Sequence, residues 1–131
     1  TLSSSSAASD VYKRQALPGD QREQTKSFLA QSLRAVITQN LIKTPDGRSR
    51  TAVMEIMINT RAISNLIMTD QSHQIPSQLQ MGQNYGMQLM DQALLSAIQE
   101  QRADPDDAFK YAHDKELFER FVTNTSVLNA K

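Results

Sequence analysis

Apolar and polar residues alternate with two different periods along this chain, and the changeover predicts where strands give way to helices. Pro18-Gly19 punctuates the chain, and Asp20 followed by Glu23 makes a capping-box-like start. A helix is predicted from there to about Leu33, carrying Phe28, Leu29 and Leu33. The run Ala35 to Ile42 (AVITQNLI) is β-branched and apolar, Thr44-Pro45-Asp46-Gly47 is a turn sequence, and Thr51 to Ile58 (TAVMEIMI) is a second apolar run. Two such runs around a turn predict a β-hairpin. Ala52, Met54, Ile56 and Ile58 share one face, while Val53 and Met57 flank Glu55 on the other. Because both faces are largely apolar, the hairpin is expected to be covered on both sides, by helices of this chain or by further sheet.

From Asn59 onward the period is helical. Asn59 or Thr60 is placed to cap a short helix carrying Ala62, Ile63, Leu66 and Ile67, and Pro76 opens another that runs past Leu79 to Tyr85-Gly86. Met87, Met90, Leu94, Leu95 and Ile98 form an amphipathic stripe to about Gln101. Asp104-Pro105 starts a helix with Ala108, Phe109 and Ala112; Asp114 starts the last, with Leu117, Phe118, Phe121 and Val122 inward. Asn124 to Lys131 reads as a frayed end. The fold class is therefore α+β, mostly helical, with one hairpin.

The first residues stand apart. Thr1 to Gln15 (TLSSSSAASDVYKRQ) begins with Ser, Ala and Thr, too polar to offset about 1–2 kcal/mol of chain entropy per ordered residue. The run Asp10 to Gln15 resembles the in-frame translation of a transposon end used in making sequencing libraries. On that reading 1–15 is a disordered adapter scar and the natural chain was cut just before Ala16; a natural disordered tail is the alternative.

Composition removes whole classes of chemistry. The chain has 131 residues, the size of one ordinary domain, and its 14 basic and 14 acidic side chains cancel. That balance argues against affinity built on phosphate neutralisation, so no nucleic acid is expected as a partner. With no cysteine, disulfides, thiolate zinc and cysteine nucleophiles are excluded together. No apolar run approaches the ~20 residues needed to span a bilayer, and no signal-peptide plan opens the chain, which points to a cytoplasmic protein.

The polar constellations read mostly as structural. His73 and His113 are the two histidines, far apart and outside any HExxH frame, so no metal site is expected. Asp104, Asp106 and Asp107 lack the alternating spacing and distal Glu of a calcium loop and sit where a helix start favours acids. Gly82 to Gly86 matches GxxxG in polar surroundings, which fits a tight helix-to-helix junction rather than a membrane dimer face. Arg48 and Arg50 beside Gly47 either reach an anion or solvate a hairpin edge. No GxxxxGK[ST], GxSxG or GxGxxG occurs, so this chain has nothing that cradles a triphosphate. Gly86, Met87, Asp91 and Leu94 are expected to fix the helical tail, Asp91 with a partner the sequence does not name.

Three stretches together carry a family resemblance: Ser32 to Leu41 (SLRAVITQNL), Ala52 to Leu66 (AVMEIMINTRAISNL) and Ile75 to Leu94 (IPSQLQMGQNYGMQLMDQAL). In order and spacing they resemble the C-terminal part of the type IV pilus retraction (twitching-motility) ATPases, the PilT/PilU group, over Ala16 to about Thr123. The resemblance implies the end of a RecA-like ATPase core over 16–58, a helix plus the hairpin, and a C-terminal helical subdomain over 59–131. It implies a parent that is a hexameric, ATP- and magnesium-dependent motor extracting pilin. Its partners would be its own subunits and an inner-membrane pilus platform protein, at the inner face of the cytoplasmic membrane. The Walker A, Walker B, Asp-box and His-box segments lie upstream in that family and are absent here, so no catalytic residue, cofactor or metal is expected in this chain and it should be inactive alone.

One family motif falls inside the chain. Retraction ATPases carry a helix of the form AIRNLIRE, and the matching positions here are Ala62, Ile63, Ser64, Asn65, Leu66, Ile67, Met68 and Thr69. The apolar positions and Asn65 are kept; both arginines and the glutamate are replaced, by Ser64, Met68 and Thr69. The resemblance makes these eight positions candidates for transmitting force, with Arg48 and Arg50 as inter-subunit polar contacts. Pilus-extension and type II secretion ATPases are similar but usually carry a tetracysteine zinc insertion between the two strands. The short turn from Lys43 to Arg48 lacks one and favours the retraction side. A non-enzymatic helical interaction module and an extension or secretion ATPase are the alternatives.

Overall fold

The computed structural model describes residues 19–129, so the reading of 1–15 as a scar lies outside the described residues. Helix α1 spans Gly19–Ser32, strand β1 Ala35–Lys43 and strand β2 Arg50–Ile58. Helix α2 spans Arg61–Met68, α3 Ile75–Met81, α4 Met90–Gln99, α5 Pro105–Tyr111 and α6 Lys115–Glu119, with 3-10 turns at Ser72–Gln74, Gly82–Tyr85 and Thr125–Asn129. Among the described residues no helix is long and apolar enough to cross a membrane.

The hairpin is a two-stranded antiparallel sheet. Thr44 N–H donates to Ser49 O and Asn59 N–H to Arg34 O, and these end bonds set the register, placing Ile42 opposite Thr51, Asn40 opposite Val53 and Val36 opposite Met57. Ile42, Val53 and Met57 are buried on that shared face. The opposite face is covered only in part: on β2 Met54, Ile56 and Ile58 are half-buried, Ile58 against the first core, whereas Ile37 is 58% exposed and Leu41 48%, and Ala35 and Ala52 are exposed too. Among the described residues, cover on that face is thus found along β2 and is thin along β1.

The described residues group into two compact units, 19–38 with 55–89 and 39–54 with 90–129, each drawing on both sides of position 58. In the first, Ala30, Met57, Ile63, Leu66, Ile67, Ile75, Leu79 and Met87 form the core. The α1 stripe differs from the predicted one. Phe28 is 67% exposed, and the inward positions are Lys26 and Ala30, because Lys26 buries its stem while its ammonium finds carboxylates. Gly82 and Gly86 make the expected tight junction. A Cβ on Gly82 would lie 2.7 Å from Met87 Sδ, and Gly86 takes φ +88° in the left-handed region. Met87 is not in the following helix; the chain leaves Gly86 extended, and Gln88 bridges Ile56 before α4 starts at Met90.

In the second unit, Ile42, Val53, Met90, Leu94, Ala97, Ala108, Phe109 and Phe118 are core residues. Four carboxylates staple it. Asp104 caps α5 by accepting from Asp107 N–H, and its own N–H donates to Lys43 O. Asp107, buried, accepts from Lys43 N–H at 2.8 Å. Asp106 accepts from the Thr123 hydroxyl and from the Thr123 and Asn124 N–H groups. Asp91 accepts from His113 and Asp114 N–H at 2.8 and 2.9 Å, which is the partner the sequence did not name. Lys115 closes α5 from the other end, donating to the Phe109 carbonyl at 2.9 Å. Leu117 lies outward at 40% exposure, whereas Phe118 is fully buried, and the expected fraying after Asn124 gives way to a 3-10 turn with Val127 against the core.

The Thr123 hydroxyl, then the Thr123 and Asn124 N–H groups, hold the Asp106 carboxyl below its ordinary pKa. A depressed carboxylate contributes stability that is complete above the ordinary carboxylate range and is lost as pH falls through the lowered value. Acid unfolding followed below about pH 4 should therefore weaken for Asp106→Asn relative to the parent chain. Parallel acid-unfolding curves would show that Asp106 does not anchor Thr123.

Candidate functional site

Helix α2, the motif helix, owes its place to three kinds of residue. Thr60 is its N-cap, its hydroxyl accepting from Ile63 N–H. Ile63, Leu66 and Ile67 are buried at helical spacing, and Ala62, Asn65, Met68 and Thr69 face out. The outward face is thus uncharged after Arg61. Thr69 turns its hydroxyl back to the Asn65 carbonyl at 2.7 Å.

Ser64 is neither outward nor idle. Its hydroxyl donates to the Ala30 carbonyl at 2.7 Å and lies 3.1 Å from Asn59 Oδ1. Asn59 Nδ2 reaches the same Ala30 carbonyl at 3.2 Å and the Leu33 carbonyl at 2.8 Å. The last turn of a helix leaves carbonyls without intrahelical partners, so Asn59 and Ser64 together close the C-terminal end of α1. Sequence reading placed Asn59 as a possible cap of α2; it serves α1 instead, and Thr60 caps α2. At the other end of α2 the Lys26 ammonium meets Asp70 at 2.8 Å and Glu23 at 2.7 Å. Neither Lys26 nor Asp70 was singled out in the sequence; an acid just past a helix end is the one signal that pointed there.

Arg48 and Arg50 sit exposed at the hairpin tip, and neither guanidinium makes an ion pair among the described residues. The tip closes on itself: Thr44 Oγ1 donates to Asp46 Oδ1 at 2.6 Å, Arg48 N–H donates to the same oxygen, and Ser49 N–H donates back to Thr44 Oγ1. The Thr44 hydroxyl and then the Arg48 N–H hold the Asp46 carboxyl below its ordinary value. A loop this short and self-bonded presents two arginines without room for an inserted metal module. Among the described residues no group of three or more His, Asp or Glu is placed to hold a metal ion.

Comparison with known proteins gives this arrangement its context. No family model matches the chain. The chain is 42% identical over 117 residues to the twitching motility protein of Neisseria gonorrhoeae, covering 88% of this chain and 31% of that protein. It is 39% identical over 99 residues to the type IV pilus retraction ATPase PilT of Pseudomonas aeruginosa, covering 75% of this chain and 28% of PilT. To that organism's type IV pilus ATPase PilU it is 33% identical over 95 residues, covering 72% and 25%. The crystal structure of the pilus retraction motor PilT with bound ADP superimposes with a TM-score of 0.74 at 26% identity, over 89% of this chain and 32% of that one. The chain spans about a third or less of the length of the relatives it matches. It is a PilT/PilU-like segment, and its mostly helical fold with one hairpin is the PilT fold over most of its length.

Removing the Ser64 hydroxyl leaves the Ala30 carbonyl with Asn59 alone, so Ser64→Ala should cost about 1 kcal/mol in urea unfolding. Ser64→Arg, which puts a long cation into a half-buried position facing those carbonyls, should cost more than Ser64→Ala. An alanine variant as stable as the parent chain would show that position 64 is not a fastener.

Proposed function

We propose that this chain is the C-terminal part of a hexameric, PilT-like pilus retraction motor that couples ATP hydrolysis to pilin extraction at the inner face of the cytoplasmic membrane. The observation that carries the reading is the bare outer side of β1. Ile37 and Leu41 are apolar, large and about half exposed on a strand with outward peptide groups, as a strand inside a wider sheet is. The likeness to PilT and PilU over a third or less of their length supports it. A further strand along the β1 edge would take up the outward peptide groups, and elements packed on its face would cover Ile37 and Leu41; both belong to the rest of a longer parent.

On this reading ATP and magnesium belong to the parent. The chain's own residues do not fit them: the sequence has no GxxxxGK[ST] loop to wrap phosphates, and no step of hydrolysis is derived from its side chains. What the chain contributes is transmission. Nucleotide-driven shifts of the sheet reach α2 through β2, which ends two residues before the Thr60 cap, and the uncharged face of α2 (Ala62, Asn65, Met68 and Thr69) meets the moving neighbour. Arg48 and Arg50, exposed at the tip with no ion pair among the described residues, suit carboxylates of an adjacent subunit. The short, cysteine-free tip favours retraction over extension or secretion motors. An inner-membrane platform protein is the partner the work would act on.

Two linked measurements test the reading. The reading frame upstream of Ala16 in genomic DNA should continue into a Walker A loop, and the protein it encodes should hydrolyse ATP as a hexamer. Magnesium-ATP should leave the melting temperature of the 131-residue chain unchanged. A start codon near Ala16, or a clear ATP-dependent shift of this chain alone, would overturn it.

A further inference from the structure

The residue after α2 breaks a local rule. Asp70 takes φ +56°, in the left-handed region that favours glycine. Its surroundings are those of a Schellman end: Gln71 N–H donates to Leu66 O at 2.9 Å and Asp70 N–H lies 3.5 Å from Ile67 O. Glycine fills this kind of position at Gly86, where φ is +88°. An aspartate here gives up backbone ease, so its carboxylate must return something.

What it returns is a partner for Lys26, whose side chain is 4% exposed. A buried ammonium without a carboxylate is strongly unfavourable, and the Asp70 hydrogen bond, then that of Glu23, holds Lys26 protonated. Glu23 lies on α1 itself, three residues before Lys26, and so cannot fix α1 to anything else. Asp70 ties α1 to the end of α2. The Asn59 and Ser64 bonds to Ala30 and Leu33 tie α1 to the start of α2. The two helices are therefore pinned at both ends, by different chemistry.

We infer that Asp70 and Lys26 are positioning residues that fix the C-terminal end of α2 against α1, so that the uncharged face of α2 is presented at a fixed angle. The clamp stands on its own geometry; that α2 passes on force rests on the proposed function. Because the outward face of α2 carries no charge beyond Arg61 at its first residue, the aim of the rest depends on how the helix is seated. An ion pair resists rotation about the helix axis more than a greasy contact does, since the ammonium and carboxylate must stay within hydrogen-bond distance.

The test is amide hydrogen exchange on the 131-residue chain. Glycine suits position 70 better than aspartate, so a mere helix end would be tightened by Asp70→Gly. The clamp predicts the reverse: Asp70→Gly and Asp70→Asn each speed exchange of the Leu66 to Gln71 amides by five-fold or more. Lys26→Met should open the same amides. Amides of α4, in the other unit, report whether Lys26→Met has unfolded the chain, in which case the exposed Asp70 variants decide. Slower or unchanged exchange in Asp70→Gly overturns the clamp. In the longer ATPase, Asp70→Asn should keep kcat for ATP within two-fold while pilin extraction per ATP falls. A parent with no ATPase at all would sink the proposed function and leave the exchange result standing; equal extraction in both proteins would sink the positioning role alone.

Discussion

Peptide N–H and C=O groups need partners, and along a strand every second residue aims its pair away from the neighbouring strand. In β1 that outward set is Ala35, Ile37, Gln39, Leu41 and Lys43, by the register that the Thr44–Ser49 and Arg34–Asn59 bonds impose. Lys43 has both its groups satisfied, by Asp107 and Asp104, at the end of the strand. For Ile37, Gln39 and Leu41 no bond from the described residues reaches those groups, and their side chains are exposed as well. An apolar strand left open along its edge and one face is a docking surface for more sheet. On the other face Ile42, Val53 and Met57 lie buried.

Within each unit, short polar bonds rather than large apolar area decide where the small helices sit. Helices of five to eight residues are marginal alone, so α2, α5 and α6 depend on tertiary fastening. Asp91, Asp104, Asp106 and Asp107 accept from backbone N–H groups, and Lys115 donates to the end of α5. Charge-assisted bonds of this kind contribute about 1.5–3 kcal/mol each when well made. The acidic triplet from Asp104 to Asp107 is spent on these staples.

Much of the fold was legible because it rests on local signals. The helix from Asp20, the hairpin around Thr44 to Gly47 and the Pro76 and Pro105 starts all follow from turn and cap residues, and the structure places elements there. What was not legible depends on distant partners. Phe28, Leu29 and Leu33 mark α1 by their spacing, yet Phe28 is exposed and Lys26 is buried, because Asp70, 44 residues on, supplies its charge. Met87 fits the helical stripe by period, but the left-handed Gly86 and the Gln88 bridge to Ile56 force it extended. The apolar positions of the motif helix were readable from period alone. The inward turn of Ser64 was not, since nothing in the local sequence says that Ala30 and Leu33 end a helix beside it.

The openness of β1 is the claim on which the reading as part of a larger ATPase turns. Residue-resolved amide exchange measures it directly, in this chain and in the longer parent of the proposed function. The account predicts that the amides of Ile37, Gln39 and Leu41 exchange at near-unprotected rates in this chain while those of Thr38, Asn40 and Ile42 are protected. In the longer protein the outward three should slow by a hundred-fold or more. Protection of Ile37, Gln39 and Leu41 in this chain by itself, equal to that in the longer protein, would contradict it.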